Sequence, residues 1–211
     1  MLKSDLYRPC PSPLLIVISG PSGVGKDVTI GGLQKMGYPF SFVVTATSRP
    51  KRPGEVEGRD YFFVSRERFE GMIAQNELLE HAVVYGEYKG IPRAQVRDAL
   101  ASGLDVIMRV DVQGAATIRR MVRDAVFIFL VPSSEEELIG RLKSRSTESE
   151  DRLHQRLEML RREMEQIDEF EYVVVNRDDH LEETVQQLLA IITAEKCRVR
   201  QREVRFLQDA I

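Results

Sequence analysis

The sequence predicts an α/β domain with a parallel core sheet flanked by helices, and three features of its order carry that reading. Short continuous apolar runs rich in β-branched residues recur along the chain, as strands buried on both faces require. Stretches with apolar residues at helical spacing separate most of these runs, the alternation of a layered α/β fold. The first run ends in a glycine-rich turn that leads straight into a helical stretch.

In chain order, Leu14-Leu15-Ile16-Val17-Ile18 reads as a buried strand closed by Gly20-Pro21. Phe42-Val43-Val44, Val106-Ile107-Met108, Val126-Phe127-Ile128-Phe129-Leu130-Val131 and Tyr172-Val173-Val174-Val175 repeat the pattern. Ser134 with Glu137 has capping-box spacing ahead of a helix carrying Leu138 and Leu142. Leu153, Leu157, Leu160, Met164 and Ile167 form one apolar stripe, and Val185, Leu188, Leu189 and Ile192 another. Two segments break the rhythm. The region 47–93 is polar and punctuated by Pro and Gly, with a short strand at Tyr61-Phe62-Phe63-Val64 and a helix over 66–79, which reads as a small α+β insertion. The region 143–156 is charged and loop-like in its middle. The basic stretch 196–205 reads as a solvated helix face.

Composition excludes several classes. The 211 residues carry 30 Lys plus Arg against 33 Asp plus Glu, a net charge of −3, which argues against a nucleic-acid or membrane-surface partner. Cys10 and Cys197 have neither metal-ligand nor redox spacing, so no disulfide framework is expected. The longest apolar run is far too short to span a bilayer. The segment 1–13 resembles neither a secretory signal nor a transit peptide, and a cytoplasmic protein is the expectation.

Gly20-Pro21-Ser22-Gly23-Val24-Gly25-Lys26 matches the phosphate-loop pattern through its lysine, which makes the core a P-loop NTPase-type sheet. Glycines let the loop turn tightly so that successive N–H groups face phosphate oxygens, the next helix adds its positive end, and Lys26 supplies a mobile charge. Asp27 stands where the pattern has Ser or Thr on magnesium. A carboxylate is a hard ligand, so Asp27 is a candidate for Mg2+, although without metal its charge opposes the phosphates. Thr29 is too far along the helix to be assumed a substitute.

Thr45-Ala46-Thr47-Ser48-Arg49-Pro50-Lys51-Arg52-Pro53-Gly54-Glu55-Val56-Glu57-Gly58-Arg59-Asp60-Tyr61 is the most informative stretch. Arg49 and Arg52, in a Pro-stiffened loop, present two guanidinium forks suited to one phosphate, and Tyr61 adds a hydroxyl donor. The stretch resembles the guanylate kinase signature, and the similarity extends in order from the phosphate loop to about Asn176. The resemblance implies transfer of the γ-phosphoryl group of ATP to GMP, and to dGMP, with magnesium. It places Arg49, Arg52 and Tyr61 on the GMP phosphate, Thr45 near the base, and Glu80 on the N1–H and 2-amino group of guanine. It also places Asp111 near GMP and the metal waters, and Asn176 on the adenine side.

Departures from the family pattern lie at Lys89, where most members carry a phosphate-binding tyrosine, at Ile91, where a base-contacting hydroxyl stands, and at Arg109, which replaces an acidic residue. Lys89 serves as a point charge on the phosphate, or Tyr88 takes over. Arg109 is expected to pair with Asp27 or Asp111; as a neighbour of Asp27 it would compensate a swapped charge. Arg141 and Arg145, four apart on a helix, and Arg156 on the next helix resemble the family's lid arginines, which stabilise charge on the moving phosphoryl as the site closes.

The resulting organisation is a core of 14–46, 94–140 and 157–211, a GMP-binding insertion at 47–93, a mobile lid at 141–156 and an extension at 1–13. The site is expected to be locally positive within an acidic chain. Two other readings stay open: a ribose bisphosphate kinase of the same fold, whose members resemble this loop in carrying Asp after the lysine, and a non-enzymatic guanylate-kinase-like phosphopeptide module. The Asp27 and Tyr88-Lys89-Gly90-Ile91-Pro92 variants resemble plant organellar members, which leaves plastid or mitochondrion as the alternative compartment. Oligomeric state is not legible.

Overall fold

A computed structural model describes residues 12–84, 86–145 and 150–207, with the backbone alone for 142–145 and 150–156. The chain opens with β1 (Leu15–Ser19), α1 (Lys26–Lys35) and β2 (Phe40–Val43). Next come β3 (Ala46–Thr47), β4 (Phe62–Phe63), α2 (Arg66–Ala74), β5 (Leu78–Val84) and β6 (Glu87–Pro92). It continues through α3 (Arg93–Ala101), β7 (Asp105–Arg109), α4 (Val112–Met121), β8 (Val122–Arg123) and β9 (Val126–Pro132). Helices α5 (Glu135–Arg145) and α6 (Glu150–Met164), a 3-10 turn (Ile167–Glu169), β10 (Tyr172–Asn176), α7 (Leu181–Lys196) and β11 (Arg205–Phe206) complete it.

Five parallel strands form the main sheet in the order β10-β9-β1-β7-β2. Alternation along β1 explains its burial on both faces. Leu15 and Val17 pack with Val96 and Ala99 of α3 and Ala115 and Ile118 of α4, while Ile16 and Ile18 pack with Ile30 and Leu33 of α1 and Val185, Leu188 and Ile192 of α7. Because β1 lies between β7 and β9, the chain diverges at its C-terminal end, and a crevice opens there.

A second sheet, β4-β3-β6-β5, stands beside this crevice. The expected helix over 66–79 is shorter than anticipated. Helix α2 ends at Ala74, Asn76 takes a left-handed φ of 54°, and Leu78-Leu79 begin a strand. A register shift between Leu78 and Glu80 breaks the alternation of β5, so Leu78, Leu79 and Glu80 are all buried in succession. Helices α5 and α6 cover the two flanks of 143–156, the expected loop-like middle at 146–149 lies outside the described residues, and Leu157, Leu160 and Met164 pack against Leu138.

The basic tail is not a solvated helix face. Arg202 is buried, donating to Glu195, Glu171 and the carbonyl of Ala125, and Lys196 pairs with buried Asp105. β11 then pairs antiparallel with β8 and closes the molecule's rear edge.

Candidate active site

The glycine-rich turn after β1 is shaped by contacts that exclude larger residues. Gly20 has φ of 138°, and a Cβ there would meet the carbonyl oxygen of Leu130 at 2.3 Å. Gly25 has φ of 96°, and its Cβ would meet Asn176 Nδ2 at 2.3 Å. With φ positive at Gly23 also, the loop curls around the start of α1. Lys26 reaches back across it, donating to the carbonyls of Gly20 at 2.5 Å and Pro21 at 3.0 Å. Burial lowers its pKa to about 8, with the nearby carboxylate of Glu163 partly offsetting the effect.

A cavity of about 310 Å³ extends from this loop to the second sheet. It gathers Lys26, Asp27, Thr45, Arg49, Arg52, Tyr61, Glu80, Lys89 and Asp111, along with Arg109. β3 and β4 pair in parallel, and the polar loop between them carries both arginines, with Tyr61 at the head of β4. Arg49 donates to Glu55 Oε2 at 2.8 Å and lies 4.8 Å from the centre of the Tyr61 ring. Burial acts to raise the Glu55 pKa, but hydrogen bonds from Arg49 and from the Arg52 N–H prevail and hold it below the usual carboxylate value. Among the described residues no ion pair engages the Arg52 guanidinium.

Glu80 occupies the far wall. It is 6% exposed, and burial together with the charge of Asp111 pushes its pKa up to about 8, against the opposing pull of Lys89. Among the described residues no hydrogen bond reaches its carboxylate. Gly114 makes room for it: a Cβ there would lie 3.0 Å from Glu80 Oε2. Asp111 caps α4 by accepting from the Gly114 N–H at 2.8 Å, which fixes that carboxylate at the cavity floor. Thr45 is buried and donates to the Arg109 carbonyl at 3.5 Å.

Several expected residues stand outside this cavity. Ile91 is fully buried in the core and not presented to the cavity, so its apolar character serves packing. Both ends of the Asn176 amide are engaged by protein, Nδ2 donating to the Val24 carbonyl at 2.6 Å and Oδ1 accepting from Thr184 at 3.1 Å, so it braces the phosphate loop. Arg141 bonds to Asp178, Glu137 and the carbonyls of Val24 and Asn176, and with Asn176 it lines a separate pocket of about 300 Å³ against Gly23 and Gly25 of the phosphate loop. Arg145 and Arg156 fall on α5 and α6, and their side chains lie outside those described. Thr29 is buried and donates to the Gly25 carbonyl, so it is no alternative to Asp27.

Nor is the lining simply positive. Five cationic side chains face five acidic ones, Asp27, Glu80, Glu87, Asp111 and Glu163. Burial disfavours the ionised forms on both sides, raising the pKa of Glu80 to about 8 and that of Glu163 as well, and lowering that of Lys26 to about 8. Glu163 escaped the sequence reading. It projects from α6 onto the phosphate loop, where its Oε2 accepts from the Ser22 N–H at 3.4 Å. Its signal was a carboxylate flanking the apolar stripe of Leu160 and Met164, three residues from one and adjacent to the other.

Comparison with known proteins adds to this geometry. The family model for guanylate kinase matches residues 12–195. "Guanylate kinase 2, chloroplastic/mitochondrial" of Oryza sativa subsp. japonica is 54% identical over 205 residues, 97% of this chain and 72% of that protein. A guanylate kinase of Desulfitobacterium hafniense is 44% identical, covering 92% of this chain and 96% of its own. The crystal structure of guanylate kinase from Anaplasma phagocytophilum superimposes with a TM-score of 0.71 at 29% identity, over 91% of this chain and 90% of the other.

Proposed function

The chain belongs to the guanylate kinase family and is a nucleoside monophosphate kinase; we propose that it transfers the γ-phosphoryl group of ATP to GMP across this cavity, giving ADP and GDP. The observation that carries the reading is Glu80, a buried carboxylate facing the same cavity as Arg49, Arg52, Tyr61 and Lys26. Guanine presents its N1–H and 2-amino donors side by side, whereas adenine has an acceptor at N1. A carboxylate therefore accepts twice from guanine and is left unpaired by adenine.

In this reading Arg49 and Arg52 grip the GMP phosphate as forks, Tyr61 donates its hydroxyl, Lys89 adds a point charge, and Thr45 lies toward the base. The phosphate-loop N–H groups and Lys26 hold the ATP phosphates. A GMP phosphate oxygen attacks the γ-phosphorus as the bond to the ADP oxygen breaks, so in-line positioning and charge stabilisation supply the catalysis and no strong base is needed. Arg145 and Arg156 are proposed, from the resemblance, to reach the transferring group as the lid closes.

Magnesium fits this donor set on a limited scale. Among the described residues no three His, Cys, Asp or Glu side chains converge as a metal site. Asp27, 62% exposed at the cavity edge, and Asp111 are the residues that would hold a cation sharing phosphate oxygens and water. Such an ion supplies neutralisation of β- and γ-phosphate charge. No helix among the described residues is long and apolar enough to cross a membrane. We assign the chain the compartment named for the rice relative, chloroplast or mitochondrion, as a proposal.

The test is ADP release measured by a coupled assay with GMP, dGMP, AMP and ribose 1,5-bisphosphate as acceptors. Turnover with GMP and little with AMP is expected. Turnover with the sugar bisphosphate and not GMP overturns the proposal in favour of a ribose bisphosphate kinase; GMP binding without any transfer overturns it in favour of a binding module.

A further inference from the structure

Arg109 closes β7, where its strand neighbours Ile107 and Met108 are fully buried hydrophobic residues. Its own side chain is 8% exposed. A guanidinium taken out of water at a strand end is costly unless its donors are matched, and an apolar residue would fill the same volume without that cost. Its partners explain why it is there. Nη1 pairs with Asp27 Oδ1, on the first turn of α1 beside the phosphate loop. Nη2 donates to the Asp60 carbonyl at 2.9 Å. The guanidinium carbon lies 4.4 Å from the centre of the Tyr61 ring, over which Arg49 also lies. One planar group therefore touches the residue following the phosphate-loop lysine and the backbone and ring of the expected phosphate clamp.

Relative to the phosphate-loop pattern an acid stands on the helix in place of a neutral hydroxyl, and a base stands at the strand end in place of an acid. Since Arg109 engages one oxygen of Asp27, it orients the carboxylate while leaving most of it exposed at the cavity edge. Lysine would not replace it, because a single ammonium cannot present the planar fork that holds Asp27 and Asp60 at once and stacks on Tyr61.

We propose that Arg109 is a positioning residue of the transfer reaction, a bridge that holds Asp27 on the ATP side and Tyr61 on the GMP side in mutual register. The inference rests on the guanylate kinase reading. It is tested by a double-mutant cycle on metal-free GMP binding, measured by calorimetry without ATP. Asp27→Asn and Tyr61→Leu, which removes the ring under the guanidinium, should combine non-additively, by more than about threefold, in the wild-type background and additively with Arg109→Lys present. Arg109→Lys alone should raise the GMP dissociation constant about tenfold, with Arg109→Met as the second variant and thermal unfolding confirming that each is folded. Additivity of positions 27 and 61 with Arg109 in place, or non-additivity that survives its substitution, overturns the bridge. Absence of GMP binding by the wild-type chain would instead contradict the reading on which it rests.

Discussion

Glu80 shows how one residue joins fold to chemistry. Its pKa of about 8 lies above the ordinary carboxylate value, so the native chain keeps a proton that the unfolded chain releases near pH 4.5. Stability then falls as pH rises from the unfolded value through about 8, because the native state binds more protons across that window. Glu80→Gln, which removes this ionisation, should be more stable than wild type at pH 9 by about 1–3 kcal/mol, the difference shrinking by pH 5. Denaturant titration at the two pH values checks it. Guanine's donors favour the ionised carboxylate, so GMP binding at pH 7 should release about one more proton from wild type than from Glu80→Gln. Calorimetry in two buffers of different ionisation enthalpy measures that number.

At the scale of elements, helix α6 lays a carboxylate on the surface that phosphates are proposed to occupy. Glu163 accepts from the Ser22 N–H and faces Lys26, so it offsets the positive charge of the loop. Glu163→Gln should therefore bind ADP more tightly, by about threefold or more, since an anion no longer opposes the phosphates. Fluorescence or calorimetric titration with ADP decides it, and weaker binding would mean that Glu163 holds Lys26 in its working position. Elements also mark where sequence reading succeeded. The buried runs Leu15–Ser19 and Val126–Pro132 were legible because continuous apolar segments suit parallel strands and little else of that length. Strands β5 and β6 were not, because their irregular mixture of charged, aromatic and small residues has no clean alternation and a register shift beside Glu80 breaks what remains. Motif spacing brought Arg49, Arg52, Tyr61 and Lys26 to notice, and they do meet in one cavity. It could not show that Asn176 and Arg141 are both bonded to the Val24 carbonyl of the loop, since both contacts depend on the packing of distant segments.

The whole molecule is tied together behind the site by charge as well as by its core. Arg202 joins the end of α7 to β9 and β10 through Glu195, Ala125 and Glu171. Its hydrogen bonds lower the Glu195 pKa to about 2, so this contribution is present above the unfolded value near 4.5 and is lost as pH falls toward 2. Among the described residues, Arg202→Ala leaves buried Glu195 with only the Tyr172 hydroxyl and the half-exposed Arg198 as partners and should destabilise the fold by about 1.5–3 kcal/mol at pH 7, read from denaturant midpoints. That rear network carries no cavity-lining residue, whereas the C-terminal edge of the parallel sheet carries the phosphate loop, Arg109 and Asp111. Net charge of −3 is thus a property of the whole chain, and the cavity holds a near-balanced set of charges tuned by burial. The most direct test of this account compares kcat/KM for GMP and AMP in wild type and Glu80→Gln. Wild type should prefer GMP strongly, and the variant should lose that preference by about a hundredfold or more, mainly through GMP. An unchanged GMP-to-AMP ratio would show that Glu80 does not read the base and would contradict the account at its centre.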